Sequence, residues 1–231
     1  MTEVAQRRVE LAMLLAVGLT PSYLNGFYNW RLAANRSMFW SVEIFTWIVM
    51  PVVLILLGWR RGLYEPSELG LSSRIRGVSR PWPLLLLLII VPSVLVPSFQ
   101  AISAWAHRSL PVAWPVPDFQ YFQVVPPPGP DTGWYRILAI CHLAITAGIV
   151  EELYHRSLMD LLFPRGRLGG LLYIVISSLI FAGAHWEGGL PSVVDTFAFG
   201  VFTATVFRLT GNVWPLIVGH VITDWTWLNG H

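Results

Sequence analysis

Runs of apolar residues about twenty long, enough to cross a bilayer, recur along this chain between short charged or proline-rich breaks. The pattern predicts an all-α fold, a polytopic membrane helix bundle of about seven transmembrane helices. They fall at roughly 9–28, 38–58, 82–106, 136–163, 168–187, 191–209 and 212–229. The first run is the weakest, since it carries Pro21 and Asn25. Arg7 and Arg8 precede its Leu11–Leu19 core, but no small-x-small cleavage site follows, so it reads as an anchor and not a cleaved signal. Glu43 interrupts the second run, and Pro92 and Pro97 sit in the third, where a membrane helix tolerates them as kinks. Segment 107–133, with Pro111, Pro115, Pro117, Pro126, Pro127, Pro128 and Pro130, cannot be helical throughout. Its Trp114, Phe119, Tyr121 and Phe122 suit the headgroup level. No repeat and no second domain is visible, so residues 1–231 read as one integral membrane domain.

Composition agrees with that pattern. Hydrophobic residues make up 55% of the 231 positions, charged residues 12%, and there are 12 Trp, values of the membrane class. A formal charge of +2 is too small to suggest a nucleic-acid partner. The single Cys141 excludes an internal disulfide and a cysteine metal cluster; within an apolar run it reads as a packing residue. The basic residues are all Arg. Alternating loops place Arg7, Arg8, Arg60, Arg61, Arg74, Arg76, Arg80, Arg165, Arg167 and Arg208 on one side, and Arg31, Arg36, Arg108 and Arg136 on the other. The positive-inside rule then puts the N-terminus in the cytoplasm. The absence of Lys and the small size point to a bacterium, hence to its inner (cytoplasmic) membrane.

Against this apolar background one stretch stands out, Ile149-Val150-Glu151-Glu152-Leu153-Tyr154-His155-Arg156. Carboxylates in hydrocarbon are costly and rare, and are functional-site candidates by default. Arg156 lies four residues beyond Glu152, on the same helix face, and can neutralise it. Glu151 lies about 100° round the helix, without that partner, and is the candidate general base. His155 is four residues from Glu151 and can tune that carboxylate or compete for it. Two later helices carry Phe181-Ala-Gly-Ala-His185 and His220-Val-Ile-Thr-Asp224; His220 and Asp224 share a face about 6 Å apart along the axis. Glu43, His142 and Asp195 lie in spans without a patterned partner and read as structural. His107 and His231 read as exposed loop and terminal residues.

These residues, in this order, resemble the CPBP family of intramembrane proteases, also called the CAAX-protease and bacteriocin-processing, or Abi, family. The resemblance rests on Glu151-Glu152-x-x-x-Arg156, Phe181-x-x-x-His185 and His220-x-x-x-Asp224, and on Phe199-Gly200 and Arg208-Leu-Thr-Gly211-Asn-Val-Trp-Pro215 between them. It covers about 137–229, which marks a catalytic core formed by the last four helices; the first 130 residues share only hydrophobicity. Two positions depart from the family pattern: His155 stands where Phe is common, and Asp224 where many members have Asn.

The resemblance implies hydrolysis of a peptide bond in a membrane-anchored protein or peptide precursor. In that reading Glu151 activates a water held with His185. Glu152 with Arg156 fixes the helix, and His220 with Asp224 stabilises the oxyanion. The same Glu151, His185, His220 and Asp224 are acceptable Zn²⁺ ligands, so a zinc protease is the alternative to the preferred version with no cofactor. From other classes, an ion- or proton-coupled transporter and a non-catalytic chaperone or immunity protein remain. The oligomeric state is not encoded. One difficulty stands at this level: His185 lies about 25 Å along a helix begun at residue 168, too far to meet a mid-membrane Glu151 unless that helix tilts or starts outside the hydrocarbon.

Overall fold

A computed structural model describes residues 3–32, 35–114 and 133–230, with side chains for all of these except 26–32. Most of the proline-rich segment, including Phe119, Tyr121 and Phe122, and His231 lie outside the described residues. Among the described residues there are seven helices and no strand: α1 Glu3–Leu32, α2 Arg36–Arg60, α3 Trp82–Ser109, α4 Gly133–Leu158, α5 Arg167–Gly183, α6 Gly189–Thr210 and α7 Trp214–Gly230. Each apolar run predicted from sequence overlaps one of them. Four stretches are long and apolar enough to cross a membrane: α2, α3, α4 and Trp186–Thr210, which is α6 with the turn before it. Helix α1 is longer than its predicted run. Helix α5 is apolar but only 17 residues long.

The spans differ in what covers them. Only 22% and 17% of the most apolar windows of α2 and α3 are buried inside the protein, against 44% for α4 and for the α6 stretch. Helices α2 and α3 therefore present most of their apolar surface outward, with Leu85 and Ile89 on α3 more than 60% exposed, while α4 and α6 form the centre. Helix α4 packs on α7, α7 on α3, and α6 on both α3 and α5.

Small residues set these contacts. A Cβ on Gly148 of α4 would lie 2.7 Å from Val221 Cγ2 and 3.2 Å from the Val221 backbone nitrogen on α7. One on Gly200 of α6 would lie 3.0 Å from Ser178 Cα on α5. Such close backbone approach is how membrane helices gain packing without a hydrophobic driving force.

Two helices contain a wide turn. In α2, Phe45–Val49 is π-helical and the Met50 N–H bonds to the Phe45 carbonyl. The ring of Pro51, which lacks an N–H to continue the ladder, follows directly. In α4 the π segment is Leu153–Leu158, immediately after the two glutamates, and no proline accounts for it.

The helix ends sort the charges. Loop 61–81 closes one end of the bundle: Arg7 bonds to the Leu63 carbonyl (2.7 Å) and Glu68 (3.1 Å), and Ser157 to the Leu69 carbonyl (2.8 Å). The Val213 N–H bonds to Gly70 (3.0 Å), and the Asn212 amide to Ser72 (2.7 Å) and Arg74 (3.1 Å). At the same end buried Asp160 accepts from Arg165 (2.7 Å) and Arg208. Gly211, at φ +61°, ends α6 in the left-handed turn, with its N–H on the Phe207 carbonyl (2.7 Å), a conformation only glycine adopts at no steric cost. At the opposite end Trp40 bonds to Tyr135 (2.7 Å) and Trp114 to the Trp186 carbonyl (2.9 Å).

Some isolated polar residues find other settings than sequence suggests. His107 is helical, since α3 runs on to Ser109, and its Nδ1 lies 3.8 Å from buried Asp195, which therefore does have a neighbour of opposite character. His142 rings against Trp40 at 5.2 Å. Cys141 is half-buried.

The Gly148 contact leads to a prediction. Gly148→Val wedges α7 away from α4 and lowers stability by about 1–3 kcal/mol, read as a lower midpoint of unfolding in detergent. An unchanged midpoint contradicts the packing described.

Candidate functional site

Glu151 and Glu152 end the regular part of α4, and both are buried. Glu152 and Arg156 are fully buried, with Arg156 Nε 3.2 Å from Glu152 Oε2, as the four-residue spacing predicts. The guanidinium is further held by Thr203 Oγ1 of α6 (Nε, 2.8 Å) and Ser177 Oγ of α5 (Nη1, 3.4 Å), and lies 4.6 Å from the centroid of the Phe181 ring. Ser177 in turn donates to the His155 carbonyl at 2.5 Å. One arginine thus ties three helices together at the level of the π segment.

The four-residue spacing predicts Arg156 alone as the partner of Glu152, and the structure adds a second. The other oxygen, Oε1, accepts from His220 Nδ1 of α7 at 2.9 Å. Glu152 therefore bridges Arg156 and His220. A carboxylate only accepts, so Nδ1 carries the proton and His220 Nε2 is turned to the opposite side. There it lies 3.7 Å from Glu151 Oε2 and 3.6 Å from Asp224 Oδ2. Glu151 is nearly enclosed, with 9% of its side chain exposed, whereas Asp224 has 29%, so the site opens on the Asp224 side.

His155 does not reach the Glu151 carboxylate. Its Nδ1 bonds instead to the Glu151 backbone carbonyl (3.1 Å), leaving Nε2 buried without a hydrogen-bond partner. His185 likewise bonds through Nδ1 to the Phe181 carbonyl one turn back (2.9 Å), which frees its Nε2 as an acceptor. Phe181 is the common neighbour: its ring lies 5.2 Å from His155, 4.8 Å from His185 and 6.0 Å from His220, and it stacks on Phe199 at 5.6 Å. Phe199 packs on His220 at 4.8 Å. All seven side chains singled out from sequence, Glu151, Glu152, His155, Arg156, His185, His220 and Asp224, are thus linked by polar or ring contacts.

The depth of His185 follows from where α5 begins. Ser177 lies level with His155 and Arg156, so on antiparallel helices Phe181 comes level with Glu151 and Glu152, and His185, one turn further on, joins the site through the Phe181 ring. The first turn of α5 belongs to the arginine-rich end, where a Cβ on Gly170 would lie 3.3 Å from Arg208 Nε. His185 stands just past the C-terminus of α5, before the turn Trp186–Gly188.

Sequence reasoning missed Ser177 and Thr203, whose only signal was a hydroxyl in an apolar helix. Both hydroxyls also bond to backbone carbonyls, a role available to any Ser or Thr in a membrane helix. As for zinc, His220 already gives its Nδ1 to Glu152, and among the described residues no group of three or more His, Cys, Asp or Glu side chains is arranged to hold a metal ion. The donor set suggested by sequence does not fit one in this geometry.

Arg156→Leu leaves Glu152 buried without its cation. Removing one member of a buried pair costs about 3–5 kcal/mol, so the variant is expected to unfold at markedly lower temperature or denaturant; wild-type stability in Arg156→Leu contradicts the bridge.

Residues 133–226 match the family model described as type II CAAX prenyl endopeptidase Rce1-like. No curated protein and no solved structure matches the chain. The matched segment runs from the start of α4 into α7 and contains all seven of the side chains above. Residues 133–226 of this integral membrane protein are therefore a domain of the Rce1-like CAAX endopeptidase (CPBP) family, a family of proteases.

Proposed function

We propose that the protein is an intramembrane endopeptidase of the glutamate type, with Glu151 as general base. The observation that carries this reading is the placement of His220 Nε2 within 3.7 Å of Glu151 and 3.6 Å of Asp224 while its other nitrogen is fixed on Glu152. These gaps are longer than hydrogen bonds, as free-enzyme geometry often is before substrate tightens it.

In this reading a water donates one hydrogen bond to Glu151 and the other to the lone pair of His185 Nε2. Glu151 takes its proton as the oxygen adds to the scissile carbonyl carbon. His220, as imidazolium, donates from Nε2 to the oxyanion that forms, and Asp224 steadies that proton until the oxyanion is there. Collapse of the tetrahedral intermediate breaks the C–N bond, and the leaving nitrogen receives the proton held on Glu151. Glu152 and Arg156 hold His220 in place and touch no reacting atom. No step calls for a metal.

The substrate proposed is a membrane-associated protein or peptide. The family description points first to prenylated CAAX sequences, while a lipid-anchored or membrane-spanning precursor is the other class. All seven helices, α1, α5 and α7 included, are taken to cross the bilayer as one domain, with residues 137–229 as the catalytic core. Ten arginines at the end closed by loop 61–81 favour a cytoplasmic N-terminus by the positive-inside rule, and the inner membrane of a bacterium is the proposed location.

The test uses purified protein in lipid nanodiscs with two internally quenched peptides, one ending in a prenylated CAAX sequence and one carrying an unprenylated membrane anchor. Wild type is expected to cleave at least one. Glu151→Gln is expected to lose about 10²–10⁴-fold in kcat, the usual contribution of a general base, at unchanged thermal midpoint. Persistent cleavage by Glu151→Gln sinks the assignment. A chelator is expected to leave the wild-type rate unchanged; stoichiometric zinc whose removal abolishes cleavage favours the metalloprotease instead.

A further inference from the structure

His185 stands between the end of α5 and the three-residue turn Trp186–Gly188 and not within a helix, so something other than the regular ladder must hold it. Helix α5 ends at Gly183, and the last ladder bond, from the Ala184 N–H to the Ile180 carbonyl, is long at 3.3 Å. The same carbonyl accepts the hydroxyl of Tyr23 from α1 at 2.6 Å. On the far side of His185, the Trp186 indole N–H donates to the Tyr23 backbone carbonyl at 2.9 Å. The Trp186 carbonyl is taken by the indole of Trp114 at 2.9 Å. Gly183 makes room for this brace, since a Cβ there would stand 3.3 Å from the Tyr23 hydroxyl.

The turn from Ile180 to Trp186 is therefore gripped on both sides of His185, by α1 and by the segment after α3. Both lie outside residues 133–226, the part that the family model covers. Within the turn His185 has the bond from its Nδ1 to Phe181, which orients the ring, and its own N–H on Ala182 (3.0 Å). Neither anchors the turn to the rest of the bundle. Tyr23 does so twice, once through its side chain and once through its main chain.

We infer that Tyr23 is a positioning residue for catalysis, which sets the placement of His185 Nε2 relative to Glu151, with Trp114 as its second brace. The inference rests on the proposed role of His185 in holding water. It gives the N-terminal helix a part in the reaction beyond anchoring, and it makes the matched segment incomplete as a catalytic unit. Misplacing a group by an ångström or less lowers rate without removing binding.

The experiment measures kcat and KM of full-length protein in nanodiscs on whichever of the two quenched peptides wild type cleaves. The variants are Tyr23→Phe, Trp114→Phe, Glu151→Gln and, as control, Tyr64→Phe. Tyr64 is a buried tyrosine near α1 whose hydroxyl bonds to the Ile55 carbonyl of α2 at 2.5 Å and to no part of the His185 turn. Tyr23→Phe removes one oxygen and keeps the ring, and is expected to lower kcat roughly tenfold with KM little changed. Trp114→Phe shifts kcat in the same direction, and Tyr64→Phe leaves it alone. In a His185→Gln background Tyr23→Phe is expected to cost nothing further. Wild-type kcat in Tyr23→Phe, an equal fall in Tyr64→Phe, or a full additional loss in the His185→Gln background overturns the inference while leaving the functional reading intact. Cleavage that survives Glu151→Gln overturns both.

Discussion

The site depends on one buried carboxylate that serves two partners. Glu152 is fully buried and still charged groups surround it, Arg156 on one oxygen and His220 on the other. A carboxylate and a guanidinium removed from water lose several kcal/mol of hydration each, and only good geometry with additional hydrogen bonds repays the loss. Here those bonds come from Thr203 and Ser177 on the two helices that pack against α4. The pair itself lies on one helix turn of α4, but the bonds that offset its burial need α5 and α6 in place, and α7 is brought in by His220.

What this arrangement does for chemistry is to separate two adjacent glutamates. Glu152 faces the helices and is consumed in holding them. Glu151 faces His220 Nε2 and the half-open side marked by Asp224. The π segment that follows directly, Leu153–Leu158, widens the helix where His155 turns its ring toward the Glu151 carbonyl and Arg156 reaches across to α6. π turns of this kind often mark functional stretches. Three histidines at the site each fix Nδ1 on a carbonyl or a carboxylate, so in each the nitrogen left over is Nε2. For His185 and His220 that nitrogen is the one proposed to act. For His155 it is buried against Phe181, whose ring lies 5.2 Å away.

How much of this was legible in the sequence follows the range of each interaction. The Glu152–Arg156 pair was readable because four residues is one helical turn, and the three motifs could be gathered because they resemble a known family in order and spacing. Apolar runs located all seven helices among the described residues, since hydrocarbon length is a physical ruler, but they could not tell which spans face outward and which are covered by the rest of the protein. Contacts between distant segments left no such trace. The Glu152–His220 bond joins residues 68 apart, and nothing in local spacing distinguishes it from a bond to Glu151. His155 looked like a partner for the Glu151 carboxylate by the same four-residue rule, yet a histidine can bond to the carbonyl one turn back instead. The placement of His185 looked inconsistent because helix α5 was assumed to begin within the hydrocarbon, whereas its first turn sits among Asp160, Arg165 and Arg208.

The central claim is that Glu152 fixes His220 so that Nε2 faces Glu151. It is tested most directly by ¹⁵N NMR of histidine-labelled protein in micelles, with His220 assigned by substitution. The account predicts a protonated Nδ1 on His220 in a strong hydrogen bond, and a shift of that nitrogen resonance in Glu152→Gln larger than any change at His155 or His185. A His220 with unprotonated Nδ1, or one whose resonance is indifferent to Glu152→Gln, contradicts it.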